Sequence, residues 1–469
     1  MKHIHFIGIK GVGVAPLSII AKEAGMMVTG CDIAEDFITT DPLARAGIVP
    51  LVGFSPSHVA NVDLVITTGA HGGFNNPEVI AAKQKEIPVL TQGEAVGEFM
   101  KGTLFGRKLT GVSVTGCHGK TTTTAMVATV FASAGKDPSF IIGTGNIPSL
   151  GGSGHFGKGD YFIAEADEYA TEPTFDKTPK FMWQFPTYLV LTNIEFDHPD
   201  VYESLDATRN AFALFTNNIQ PGGALIINGD DPQAKLLLQS FTGKAITFGF
   251  EKENTYVLSD VVSTKHGTSF RAAKDGKALG VFHVGVPGEH NALNALAAII
   301  VGLEAGLQIK SVKKGIESFS GTKRRLEYKG ELSSGALLYD DYAHHPTEIK
   351  KTLEALKQLY PEKKLVCLFQ PHTYSRTKSL FDQFIYSFEA ADTVLLADIY
   401  ASLREAQDQS VSSALLAKGI QQTGKEVKLL PRLSDMVQYV QEKKLDESIV
   451  LVTMGAGDIY KVGESLIGL

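Results

Sequence analysis

Apolar, β-branched runs recur along the chain at residues 3–9, 27–32, 64–68, 112–115, 161–165, 188–193 and 225–228, and the stretches between them carry helical patterns. Short runs of this kind read as strands, and their alternation with helices predicts α/β layers around largely parallel sheets. The same alternation returns near the C-terminus, at 337–341, 364–369, 393–397 and 448–454. Between the two series, residues 255–284 are polar and β-rich with Gly267 and Gly276 among them, which predicts hairpins inserted in a middle unit. Three α/β domains follow, spanning 1–106, 107–321 and 322–469. The first boundary lies in a basic, glycine-containing connection ahead of a new strand, and the second at Ser320 to Thr322 ahead of a basic pair.

Composition narrows the class. A chain of 469 residues exceeds one hydrophobic core, in keeping with several domains. Its 43% hydrophobic and 20% charged content is that of a globular protein rather than a disordered one. No stretch approaches the roughly 18 apolar residues of a spanning helix, and the start runs straight into a strand without signal-peptide character. A cytoplasmic protein without a membrane partner is expected. Cys31, Cys117 and Cys367 lie far apart with no CxxC spacing, which speaks against a disulfide framework or a structural zinc. A net charge of -7 disfavours nonspecific nucleic-acid binding, so anionic ligands must be held by local features.

Such features are present. Val112 to Thr115 reads as a strand that turns through Gly116-Cys117-His118-Gly119-Lys120-Thr121-Thr122 into a helix. Glycines there let backbone N–H groups converge on phosphate, the helix N-terminus adds positive charge, Lys120 reaches the outer phosphates and Thr121 offers a hydroxyl to magnesium. Val114 stands where a strict Walker pattern has glycine, and the bland alternative is a glycine turn capped by threonines. A second strand-turn-helix contains Gly8, Gly11 and Gly13, with Asp32 closing the next strand. This spacing suits any pyrophosphate, that of a UDP-sugar or of a dinucleotide, and equally a tight packing turn. Acidic clusters end two further strands, at Glu165-Ala166-Asp167-Glu168 and Glu195-Phe196-Asp197-His198. Carboxylates at the C-terminal ends of parallel strands are candidate Mg²⁺ ligands, or simply helix caps.

Taken in order, the Gly116 to Thr122 loop, Glu165 to Glu168, Asn193 to His198, Gly288-Glu289-His290-Asn291 with Asn294, Arg324-Arg325, and Asp340 to Glu348 resemble the signature set of the Mur ligases over essentially the whole chain. The resemblance implies a Rossmann-like first domain for a UDP-sugar, a central mixed-sheet ATPase domain of the P-loop type, and a Rossmann-like third domain for an amino acid. It implies ATP as co-substrate with Mg²⁺, and amide formation through an acyl phosphate. Gly116, Gly119, Lys120, Thr121, Thr122, His290, Asn291, Asn294 and Arg325 are expected at ATP, and Thr121, Glu165 and His198 at magnesium. Gly8, Gly11, Gly13 and Asp32 are expected at the UDP-sugar, and Tyr342, His344, His372 and Arg376 at the amino acid. Lys120, Arg325 and His344 carry catalysis in this reading, with Arg324 as a possible helper of Arg325.

Within the family, Gln370 to Thr377 and Asp398 to Ala401 are similar to the member that adds L-alanine to UDP-N-acetylmuramate, whereas Glu168-Tyr169, Phe175-Asp176-Lys177 and Glu195-Phe196-Asp197-His198 are similar to the member that attaches the L-Ala-D-Glu-meso-diaminopimelate tripeptide to it. L-Alanine is the expected amine, because the matching segment lies in the domain that would bind it. The tripeptide is the alternative, and a nucleotide-dependent dehydrogenase the remote one. No lysine occurs between Pro199 and Asn218, where members adding later residues carry a carbamylated lysine. A monomer or homodimer is expected. Lys10 and Cys117 depart from the family pattern.

Overall fold

The computed structural model describes residues 2–401, 405–443 and 445–467, arranged around three large sheets that follow one another along the chain, with a two-stranded ribbon, Ala170–Glu172 against Asp176–Pro179, in addition. The first has five parallel strands in the order Leu51–Val52, Met27–Asp32, His3–Ile7, Leu64–Thr67, Val89–Thr91. Strand order reverses beside His3–Ile7, the place where open α/β sheets leave a ligand crevice at the strand ends. Residues Ile4 to Ile7 are fully buried, as expected for a parallel strand covered on both faces.

The middle sheet has ten strands. Thr110–Thr115 lies at its heart between Tyr188–Leu191 and Tyr161–Glu165, parallel to both. One wing continues in parallel through Ala224–Asn228 and Ala245–Gly249, then becomes an antiparallel meander, Tyr256–Thr264, Gly267–Lys274 and Lys277–Val284. That meander is the pair of hairpins expected at 255–284. Helix Lys120–Ser133 packs against helices Glu289–Glu304 and Ile309–Ser318. Residues Thr121 to Phe131 are all buried, so the helix carries no polar face.

The last sheet has six strands, ordered Glu327–Glu331, Leu337–Asp341, Ile449–Met454, Lys364–Phe369, Thr393–Leu396, Glu426–Leu429, with only the first antiparallel to its neighbour. The three-domain α/β architecture is therefore as expected, and so is each apolar run as a strand. Two runs end two residues before the expected bound. The expected strand 3–9 stops at Ile7 because Gly8 turns the chain at φ 71°, and 188–193 stops at Leu191, where the chain leaves the sheet for the acidic loop. The short strands Leu51–Val52, Glu327–Glu331 and Glu426–Leu429 went unanticipated, being edge strands or partly polar.

Candidate active site

The strand Thr110–Thr115 ends in a loop whose glycines are sterically required. Gly116 and Gly119 sit at φ 129° and 79°, and a Cβ would lie 2.2 Å from Thr192 Oγ1 on the first and 2.7 Å from Asn294 Oδ1 on the second. The loop is pinned from the next strand's end: Asn193 Oδ1 accepts from the His118 N–H at 2.9 Å, and Thr192 Oγ1 donates to the His118 carbonyl at 2.6 Å. Lys120 opens the helix with its ammonium inside the loop, donating to the Gly116 carbonyl at 2.6 Å and paired with Glu168 at 2.9 Å. Burial works against the charge of Lys120, but Glu168 and Asp167 hold its pKa above that of an ordinary lysine.

Two groups of acids face this loop. Glu165 accepts the Gly143 N–H at 2.8 Å and lies beside Thr121, whose hydroxyl receives an N–H of Arg325 at 3.3 Å. Burial raises the Glu165 pKa even though Arg325 and Lys120 are near. His198 lies instead with Glu168 at 3.5 Å and Asp197 at 3.7 Å. The magnesium trio expected from the sequence thus divides: Thr121 and Glu165 sit under Arg325, His198 sits with Glu168 and Asp197, and Lys120, paired to Glu168, joins the halves. Glu168 and Asp197 were absent from the expected ligand set, although both lie in the motifs that supplied it.

The third domain reaches this loop from the opposite side. Arg325 extends toward Thr121 and also meets Glu348 at 3.6 Å, whereas Arg324 is committed elsewhere, donating to Asp340 at 3.0 Å and to the Gly455 carbonyl at 2.6 Å. The sequence reading of Arg324 as a helper of Arg325 is corrected: its guanidinium is 7% exposed and braces its own domain. Glu348 caps helix Pro346–Leu359 by accepting the His344 N–H at 3.1 Å, while its other oxygen lies 3.4 Å from His118. On the far side of the His118 ring, Glu195 stands at 3.4 Å and itself accepts the Thr347 hydroxyl at 2.6 Å. Burial disfavours the imidazolium, but these two carboxylates raise the His118 pKa to about 10, so the ring is a cation between two domains. Sequence reading gave His118 no role beyond its place in the loop.

Arg376 crosses the same boundary. Its guanidinium donates to Asp197 at 2.8 Å and lies 3.2 Å from His372 Nδ1, and both the arginine and the aspartate are almost fully buried. His344 and His372 face one another at 6.0 Å between ring centroids, Tyr342 lies 5.3 Å from His344, and Tyr400 stacks on His372. The four residues expected around the amino acid therefore form one cluster. Burial together with Arg376 pushes the His344 pKa to about 3, leaving a neutral, weakly basic imidazole.

A cleft of about 190 Å³, open at its mouth, runs from the loop between the middle and third domains, lined by Gly119, Thr122, His290, Asn291, Asn294 and Arg325 among others. Asn294 donates to Asn291 at 3.3 Å, and burial with Lys351 nearby lowers the His290 pKa to about 4, giving a neutral wall. In the first domain, Gly8 has φ 71° and no room for a Cβ beside Thr68. Asp32 does not face outward: its carboxylate accepts the Lys10 and Ile33 N–H groups at 2.7 and 2.8 Å and pairs with His71 at 3.3 Å. It shapes the glycine loop. The Lys10 ammonium, 2.8 Å from the Glu35 carbonyl, is likewise folded back onto backbone.

Fold and site together define a multidomain α/β enzyme in which a glycine loop on one domain is faced by an arginine from another. The chain matches the Mur ligase family catalytic domain over residues 3–103, the Mur ligase middle domain over 114–302 and the Mur ligase glutamate ligase domain over 324–457. A curated UDP-N-acetylmuramate–L-alanine ligase of Desulfitobacterium hafniense is 40% identical over 466 residues, covering 99% of each chain. Among solved structures, UDP-N-acetylmuramate-alanine ligase MurC of Thermotoga maritima superposes with a TM-score of 0.81 at 28% identity, covering 100% of this chain and 99% of that one. A murein peptide ligase of Psychrobacter arcticus shares the fold, with a TM-score of 0.73 at 23% identity over 100% of this chain and 98% of that one. This chain belongs to the Mur ligase family, whose members are ATP-dependent.

Proposed function

We propose that the chain joins L-alanine to UDP-N-acetylmuramate, with ATP converted to ADP and phosphate, as a step of peptidoglycan precursor synthesis. The observation that carries this reading is full-length kinship with enzymes named for that reaction, at 40% identity, on a chain whose loop, arginine and histidine cluster are all in place. The tripeptide alternative has weaker kinship behind it, at 23% identity over the whole chain and 30% over 69% of it, against 40% over the full length for the alanine-adding enzyme. The dehydrogenase alternative is set aside with it, since Asp32 spends its carboxylate on the glycine loop rather than presenting it to a ribose.

The chemistry divides among the three domains, taken as 1–106, 107–321 and 322–469. The Gly8, Gly11 and Gly13 loop receives the UDP-sugar pyrophosphate on backbone N–H groups. Gly116 to Thr122 receives the ATP phosphates, and Asn291, Asn294 and neutral His290 border the base. When the sugar carboxylate attacks the γ-phosphorus, negative charge on the transferring group is met by Lys120 from one side and Arg325 from the other. An acyl phosphate results, and the amine of alanine, held among Tyr342, His344, His372 and Arg376, displaces phosphate. His344, with a pKa near 3, orients the amine rather than taking its proton.

Mg²⁺ fits the donors present. Glu165, Glu168, Asp197 and the Thr121 hydroxyl are hard oxygen donors around the loop, and Glu165 is a half-buried carboxylate to which no arginine or lysine is bonded directly among the described residues. Thr121 and Glu165 on one side and His198 on the other would hold the ion, which would supply charge neutralisation to the phosphates. The reading is tested by phosphate release from Mg²⁺-ATP with UDP-N-acetylmuramate and either L-alanine or the tripeptide as amine. Release with alanine and little with tripeptide is expected. The reverse would make this a recycling ligase on the same fold.

A further inference from the structure

Away from the nucleotide cleft, under the first sheet, four side chains from four separate elements converge. His5 lies on strand His3–Ile7, Cys31 on Met27–Asp32, His58 on the turn Pro56–Val59 and Glu78 on helix Pro77–Gln84. Glu78 is at the centre, 2.9 Å from His5 Nε2, 2.7 Å from His58 Nδ1 and 3.1 Å from Cys31 Sγ, and its Oε1 also accepts the Ser55 N–H at 2.8 Å. One potential ligand atom from each of the four falls within 4.8 Å of all the others. His5, Cys31 and Glu78 have no exposed surface, and only the His58 ring touches solvent.

We propose that His5, Cys31, His58 and Glu78 form a structural zinc site that staples the first domain. Thiolate, imidazole and carboxylate together are a donor set suited to zinc, and four protein ligands with no open position mark a structural rather than a catalytic site. Bonds of about 2.0–2.3 Å to a tetrahedral ion put ligand atoms some 3.5 Å apart, so the contacts of Glu78 need to lengthen by less than about 1 Å and the remaining pairs, all within 4.8 Å, to close by about 1.3 Å at most. Charge favours the ion as well. Zn²⁺ with one carboxylate and one thiolate makes a neutral buried site, whereas Glu78 alone is a buried anion; binding displaces the Cys31 proton to solvent as the S–Zn bond forms. The outer partners are already arranged. His5 Nδ1 is 2.8 Å from Thr29 Oγ1, which is in turn 2.9 Å from His3 Nε2, so the His5 ring is held with Nε2 toward the site. Wide separation along the chain explains why cysteine spacing alone spoke against zinc.

The site also lies directly behind the sugar-binding loop, since Ile7 precedes Gly8 and Cys31 precedes Asp32. Metal loss therefore loosens the strands on which that loop rests.

The decisive probe is Co²⁺ added to the full-length chain after chelation and dialysis, with Zn²⁺ in competition. Visible bands of a tetrahedral ion and a sulfur-to-cobalt charge-transfer band are expected, abolished by zinc. The charge-transfer band should vanish in Cys31→Ser and persist in Cys117→Ser, and zinc should raise the thermal midpoint of the unaltered chain but not of Glu78→Gln. If the variants fail to fold, the spectrum of the unaltered chain decides alone. Cobalt bound without a thiolate band, a band that survives Cys31→Ser, or no retained metal overturns the site and leaves Glu78 as a hydrogen-bonded core carboxylate.

Discussion

Adjacent arginines with opposite assignments give the sharpest test at the scale of single residues. Arg324 is buried against Asp340, whereas Arg325 projects to Thr121 and Glu348. Arg324→Ala leaves Asp340 without its partner in the interior, and is expected to cost about 3–5 kcal/mol of stability, read as a fall in the denaturation midpoint. Arg325→Ala should leave that midpoint within about 0.5 kcal/mol and lower kcat by on the order of 10²–10³. Equal loss of stability in both would show that Arg325 is structural. Lys120→Ala belongs to the same scale. Turnover should fall by orders of magnitude, while UDP-N-acetylmuramate binding, measured by calorimetry, survives, because the two glycine loops lie on different sheets. Loss of both together would sink the division of substrates among domains.

At the level of elements, the phosphate loop is clamped to helix Pro346–Leu359 through His118, with Glu348 on one side and Glu195 on the other. The His118 pKa is raised from the ordinary histidine value to about 10, so its contribution to stability is full below about pH 6.5 and is lost as pH rises through about 10. The thermal midpoint of the unaltered chain should therefore decline between those limits by more than that of His118→Gln; parallel profiles would mean that the ring is neutral. Legibility in the sequence divides along the same line. Gly116 to Thr122, Gly8 to Gly13 and the strands that carry them could be read because a strand, a glycine turn and a helix start are all local. The pairings of His118 with Glu348, Arg376 with Asp197 and Arg325 with Thr121 could not, since each joins residues that only tertiary folding brings together. Asp32 shows a related limit: spacing placed it by the glycine loop but could not tell a ligand-facing carboxylate from one turned onto the loop's own N–H groups.

For the molecule as a whole, the first domain shares an apolar cluster with the middle one, from Ile4 and Phe6 to Phe162 and Ala164, whereas charged pairs tie the third domain to the middle one. Asp197 on the middle domain and Arg376 on the third are each almost wholly buried and 2.8 Å apart, and burial, though opposing both charges, is overcome: Arg376 holds the Asp197 pKa well below the carboxylate range. Removing one partner of such a pair leaves the other as an uncompensated buried charge, whose relief is to let the domains part and water enter. Asp197→Asn should accordingly enlarge the radius of gyration in small-angle scattering and raise the KM for L-alanine by at least about tenfold, since Arg376 also orders His372 at the amine site. Binding of UDP-N-acetylmuramate, proposed to rest on the first domain, should be unaffected. An unchanged scattering profile with a raised KM would confine Arg376 to the amine pocket; an unchanged KM with an expanded molecule would make it a hinge contact alone. Only the joint change supports a third domain that is both the lid over the phosphates and the carrier of the amine, because one buried ion pair then controls both.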